Sequence, residues 1–242
     1  MENKTYNEFL RTFHILSYDH NKWEVWKDLI FMISASISNT LDKKNYDYRE
    51  KEYLRIINKY IPKEQMLFPK LFAKIVMSLE ENPDQDLLGS IFMELNLSNG
   101  DKGQFFTPYS VCKLMAKSTM YDISERIKEK GYISINDCAC GAGATLIAGI
   151  NEAKDILSKE NKNFQNHVFV VAQDIDETVA LMCYIQLSLL GVAAVVKVGD
   201  SLANPITELT DDKNNWYTPI YYSDIWQRRR LLKMLKGDKN GL

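Results

Sequence analysis

At 242 residues and 45% hydrophobic composition, the chain can bury a substantial core as one large domain or two small ones. Thirty basic against 32 acidic residues leave a formal net charge of −2, which excludes a generally basic surface and restricts any nucleic-acid contact to a local patch. The apolar runs 29–37 and 181–196 are broken by Ser34, Ser36, Tyr184, Gln186, Ser188 and Gly191 and make no membrane span, while the polar opening Met1-Glu2-Asn3-Lys4 and four dispersed cysteines predict a reduced, cytoplasmic setting.

Residues 6–97 repeat apolar side chains at helical spacings, with Trp23, Trp26, Leu29, Ile30 and Ile33 on one face and Leu54, Ile56, Ile57 and Tyr60 on another. Ile61-Pro62 and Asn82-Pro83 punctuate the pattern, because proline disfavours helix in the residue before it. Asp84 is then placed to begin a helix carrying Leu87, Leu88, Ile91, Phe92 and Leu95, and Asn99-Gly100 marks a turn. Residues 1–100 are therefore expected to form a helical N-terminal domain.

Beyond residues 103–108 the spacing predicts a helix over 109–120, a charged connector, and an alternating pattern that begins near Gly131. Strands are expected at 132–136, 167–172 and 192–198, with helices at 145–157 and 177–190 between them. His167-Val168-Phe169-Val170-Val171 and Val192-Ala193-Ala194-Val195-Val196 are nearly continuous apolar runs, as parallel strands covered on both faces require. Residues 101–242 thus read as an α/β domain on a parallel sheet. The chain closes in a basic, helix-like stretch in which Arg228-Arg229-Arg230, beside Trp226, fits a phosphate or acidic partner, or more simply a solvated helix end.

The informative feature is Asp137-Cys138-Ala139-Cys140-Gly141-Ala142-Gly143-Ala144, between the first strand and its helix. A strand, a glycine turn and a helix N-terminus form the usual nucleotide-holding corner of an α/β protein, and Gly141 and Gly143 remove Cβ atoms that would keep a ligand from the backbone. Asp137 at the strand end would repel a pyrophosphate, so the corner suits S-adenosylmethionine, which brings its own ammonium. Asp174 and Asp200 follow the second and third strands, and in an open parallel sheet such ends share one edge. On this reading Asp137 and the glycine turn hold the methionine part, Asp174 accepts the ribose hydroxyls and Asp200 accepts the adenine amino group. The alternative for each aspartate is a turn or cap residue.

In this order of motifs the chain resembles the N6 adenine-specific DNA methyltransferases, most closely the modification subunits of type I restriction-modification systems. Asp86-Leu87-Leu88-Gly89-Ser90-Ile91-Phe92 looks like the helix those subunits place before their cofactor domain, and Gly103-Gln104-Phe105-Phe106-Thr107-Pro108 looks like the turn after it. Residues 137–144 are similar to the family's Asp-Pro-Ala-Cys-Gly-Ser-Gly-Gly loop, Gln173-Asp174 to its Gln-Glu pair at the ribose, and Gly199-Asp200-Ser201-Leu202 to its adenine-contacting turn. The resemblance implies a class I methyltransferase (Rossmann-like) parallel sheet preceded by a helical domain. It also implies an S-adenosylmethionine site drawn from Phe105, Thr107, Asp137, Cys138, Gly141, Gly143, Asp174, Ile175, Asp200 and Ser201, with Thr107 closing over the methionine carboxylate.

The chain departs from the family at the catalytic motif. The Asn-Pro-Pro-Tyr or Asn-Pro-Pro-Phe tetrapeptide that holds the flipped adenine is absent. Its nearest stand-ins are Asn204-Pro205, close behind Asp200, and Tyr217-Thr218-Pro219, where threonine replaces the amide. The remaining strands and the target-recognition element of the family are also missing, so the chain reads as truncated, and DNA is expected to be met through a partner specificity or methyltransferase subunit. The rival expectation is an inactive cofactor-binding protein that assembles with, or regulates, a restriction-modification system. No metal site is expected, since Cys138 and Cys140 are only one residue apart and further ligands are not placed beside them.

Overall fold

A computed structural model describes residues 4–97, 106–206 and 213–235. Six helices come first: α1 (Lys4–Leu16), α2 (Lys22–Ser38), α3 (Tyr46–Ile57), α4 (Pro62–Gln65), α5 (Leu67–Glu81) and α6 (Leu87–Glu94). Asn21 caps α2 by accepting the amides of Trp23 at 2.9 Å and Glu24 at 3.2 Å. Most of the circumference of α2 is buried, as expected of a helix that packs against α3 on one side and the α/β half on another. Its one buried acid, Asp28, is held by the Lys59 ammonium and the Tyr60 hydroxyl.

The second half runs α7 (Tyr109–Thr119), α8 (Ile123–Lys130), β1 (Ile133–Asp137), α9 (Ala144–Lys159), β2 (Val168–Asp174), α10 (Glu177–Leu189), β3 (Ala193–Val198), β4 (Asn215–Tyr217) and α11 (Asp224–Leu235). The sheet order is β1-β2-β3-β4. The first three strands are parallel, in the register Ile135↔Val170↔Ala194, and β2 and β3 are apolar on both faces. One face meets α9 and α10, with α7 against α9 and α2 against α10; the other meets α11 and the 3-10 turn before it through Phe169, Val195, Tyr221 and Trp226. The main core is continuous from Phe9 in α1 to Trp216 in β4.

Several expectations need correction. The helix of the DLLGSIF segment begins at Leu87, not Asp84: Asp86 is its N-cap and accepts the Gly89 amide at 3.0 Å, while Asp84 accepts the Tyr109 hydroxyl at 2.7 Å. The charged connector is the helix α8, whose buried Ile123 and Ile127 stand one turn apart and are outnumbered by charges. On α3, Leu54 is 49% exposed whereas Arg49 is fully buried, because the helix turns its arginine inward.

Within the C-terminal cluster two of the three arginines are tied to the rest of the protein. The Arg229 guanidinium donates to the carbonyls of Gly131 and Asn166 and lies over the Trp226 ring, and Arg230 donates to the Tyr221 carbonyl at 2.8 Å. Of the three arginines, only Arg228 is exposed.

Candidate functional site

The turn between β1 and α9 is held by hydrogen bonds reaching across to β2. The Cys140 amide donates to the Gln173 carbonyl at 3.0 Å, the Gly141 amide to Asp174 Oδ2 at 2.8 Å, and the Gly143 amide back to the Cys140 carbonyl at 2.8 Å. Two positions require glycine. Gly141 has φ +51°, and a Cβ there would stand 3.1 Å from the Phe106 ring; Gly143 has φ +95°, with a hypothetical Cβ 2.8 Å from Cys183 Sγ.

Asp137, at the end of β1, accepts the Ala139 amide at 3.1 Å through Oδ1 and the Thr145 hydroxyl at 2.5 Å through Oδ2. Asp174, at the end of β2, accepts the amides of Gly141 and Asp176. Burial pushes the Asp174 carboxyl above its ordinary value, helped by the charges of Asp176 and Asp137, and the two amides offset part of that rise. The two carboxylates share a pocket of about 200 Å³ whose other walls include Phe106, Thr107, Gly141, Ala142 and Thr145. Among the described residues no lysine or arginine lines it.

The structure therefore brings together Thr107, Asp137, Gly141 and Asp174. Gly143 lies just behind the turn, against Cys183. Cys138 is exposed beside it, and Ile175, 72% exposed, stands at the same sheet edge as Asp174. Gly103, Gln104 and Phe105 lie outside the described residues. Sequence reasoning missed Phe106, whose ring covers Gly141, and Thr145, whose hydroxyl fixes Asp137. Phe106 lies inside the motif over residues 103–108 and Thr145 directly follows the glycine loop, and those positions are the signal that could have found them.

Asp200 and Ser201 do not join the pocket walls. The exposed Asp200 carboxylate accepts the amides of Leu202 at 2.8 Å and Ala203 at 3.2 Å, so it caps its own turn. Asn204 is likewise committed: Lys197 donates to its side-chain oxygen at 3.0 Å and Gln173 to its backbone carbonyl at 2.9 Å, leaving Pro205 exposed behind it.

Tyr217 and Pro219 are carried to the opposite edge. Strand β4 is antiparallel to β3, pairing Asn215 with Lys197 and Tyr217 with Val195, so the chain runs back toward the start of β3 before it reaches Pro219. There Tyr217 stacks on Tyr221 at 4.3 Å, and the Thr218 hydroxyl accepts the Ala194 amide and donates to the Val192 carbonyl.

A larger cavity of about 360 Å³ lies between α5, α9 and the end of α10, lined by Leu79, Pro83, Ile150, Asn151, Phe164 and Leu189 among others. It contains neither a turn glycine nor a strand-end carboxylate, so the smaller pocket is the better candidate for chemistry.

The family model for N-6 DNA methylases matches residues 83–236, which include the glycine turn, both carboxylates and the whole sheet. The chain belongs to the N-6 DNA methylase family. No curated protein and no solved structure matches it. The match also takes in the capped helix α6, while all five helices before it fall outside. No helix among the described residues is long and apolar enough to cross a membrane.

Proposed function

We propose that this N-6 DNA methylase binds S-adenosylmethionine at the glycine-turn pocket and serves adenine N6-methylation of DNA. The observation that carries the reading is the pocket's charge: two carboxylates and a glycine turn, with no basic lining residue among the described residues. Such a site repels phosphates and suits a ligand carrying ammonium and sulfonium charge. On the resemblance to type I modification subunits we extend the proposal to a class I, Rossmann-like domain over 101–242 behind a helical domain over 1–100.

The pocket is smaller than the roughly 300–1,000 Å³ typical of whole ligands, so it suits one end of a nucleoside-sized molecule. Asp137 and Thr107 would hold the amino-acid end. Asp174 would accept the ribose hydroxyls, and the exposed Ile175 offers an apolar surface to the base. When bound, S-adenosylmethionine supplies a methyl group open to direct displacement by an amine. The task left to the chain is alignment, with the Gly141–Asp174 bond fixing the turn against the strand end. Cys138 at the turn, Phe105 before Thr107, and Asp200 and Ser201 at the third strand end complete the proposed cofactor set.

The commitments of Asn204 and the reversal of Tyr217 and Pro219 favour acceptance of the target base by groups other than these. We propose that DNA is engaged together with a partner specificity or methyltransferase subunit. Calorimetric titration with S-adenosylmethionine tests the cofactor site. Gly141→Val, which sets branched carbons against Phe106 in a left-handed backbone, and Asp174→Ala, which removes the ribose acceptor, should each abolish measurable binding. Unchanged affinity in both would defeat the assignment. Radiolabelled methyl transfer to unmethylated DNA, with and without a candidate specificity subunit, tests the reaction.

A further inference from the structure

Gln186 lies in the C-terminal half of α10, is fully buried, and is not itself a wall of the cofactor pocket. All its polar capacity is nevertheless spent on two distant segments. Its Nε2 donates to Asp86 Oδ1 and to the Ala142 carbonyl, each at 2.9 Å, and its Oε1 accepts the Leu88 amide at 3.1 Å. A single side chain therefore ties the first turn of α6 to the middle of the glycine turn.

The arrangement around it is tightly specified. Asp86 Oδ1 accepts the Gly89 amide as well, and a Cβ on Gly89 would fall 2.0 Å from Asp86 Oδ2, so the carboxylate fits only over a glycine. Burial raises the Asp86 carboxyl above its ordinary value, and the neutral donors of Gln186 and Gly89 act against that rise. Glutamine meets all three demands because its amide presents two N–H donors and one acceptor in a fixed plane. A leucine of similar size would leave the Leu88 amide, the Asp86 carboxylate and the Ala142 carbonyl each short of a partner.

We infer that Gln186 is a positioning residue for the cofactor turn: it takes its orientation from Asp86 and Leu88 and holds the Ala142 carbonyl, so that Gly141 and Gly143 keep the geometry in which the ligand is received. This rests on the cofactor reading above. It gives the α6 segment a physical part in the site, since that helix start fixes the glutamine.

The test separates helix docking from turn positioning. Gln186→Glu loses the donor to Ala142 and sets two carboxyls together. The double variant Asp86→Asn with Gln186→Glu sets an amide opposite the new carboxyl and so relieves their repulsion, at the expense of the Gly89 cap that Asp86 Oδ1 also makes, and the ionised glutamate offers nothing to the Ala142 carbonyl. Melting temperature, hydrogen exchange of residues 138–143 and S-adenosylmethionine affinity are measured for wild type, single and double variants. The expected result is that the double variant departs from any common trend: exchange of the turn remains faster, and affinity weaker by about tenfold, than its melting temperature predicts. If turn protection and affinity instead follow melting temperature along one line through all three proteins, Gln186 is only a packing residue and the inference falls. If the wild type binds no S-adenosylmethionine, the cofactor reading fails separately, and the exchange data still decide whether Gln186 sets the turn.

Discussion

Asp174 is the residue on which the site's pH response should turn. Its folded-state carboxyl titrates above the ordinary value because burial outweighs the two amides it accepts, so the folded protein holds that proton more firmly than the unfolded chain does. The contribution of this group to stability is therefore present at low pH and lost as pH rises through the raised value. Ribose hydroxyls, by contrast, donate best to the ionised carboxylate, so cofactor affinity should grow over the same interval. Between about pH 4 and 7 the stability of the wild type relative to Asp174→Asn, which keeps the shape but cannot titrate, should fall while the wild type's cofactor affinity rises. A parallel rise of both with pH would mean that another group governs the response.

At the level of elements, the sequence disclosed what depended on local pattern and hid what depended on partners. Strands β1 to β3, helices α9 and α10 and the glycine turn were legible, because apolar runs, helical spacing and paired glycines are one-dimensional signals. The fourth strand was not. Only three residues long, Asn215–Tyr217 is apolar in neither the continuous nor the alternating sense, and its reversal against β3 is set by contacts no local rule contains. The same holds at the site: all three strand-end aspartates accept the amide two residues on, but only Asp137 and Asp174 also line the pocket, a difference that tertiary placement decides. Part of the hidden strand's support comes from Thr218, whose buried hydroxyl adds to the ladder bond its amide makes to the Ala194 carbonyl. Thr218→Val keeps the shape but orphans the Ala194 amide, and should cost about 1–3 kcal/mol in urea unfolding, with Thr218→Ser recovering most of it. No loss would show that β3 and β4 need no such link.

On the scale of the whole molecule, the first helices and the sheet are fastened by Arg49. Its guanidinium bonds Ser38 at the end of α2 and, at 2.6 Å, Asp42 in the connection to α3, donates at 2.9 Å to the Asn215 carbonyl in β4, and lies 3.8 Å over the Trp216 ring. Both members of the Arg49–Asp42 pair are buried, so removing one strands the other. Arg49→Met should destabilise by about 3–5 kcal/mol, whereas pairing it with Asp42→Leu should recover much of the loss, because the desolvated carboxylate is then gone as well. A double variant no better than the single would place the cost in the contacts with Asn215 and Trp216 instead.

The unbroken core bears directly on how the protein can be handled. The stretch matching the methylase family starts at residue 83, yet Phe31 packs on Trp216 and α2 lies along α10, both from outside that stretch. A fragment trimmed to 83–236 would leave bare the side of α10 that α2 covers, along with one face of Trp216, and is expected to collect in the insoluble fraction when expressed. Soluble yield of the fragment against the intact chain would measure this. The leading helices are thus a wall of the methylase core, and any dissection of the protein has to keep them.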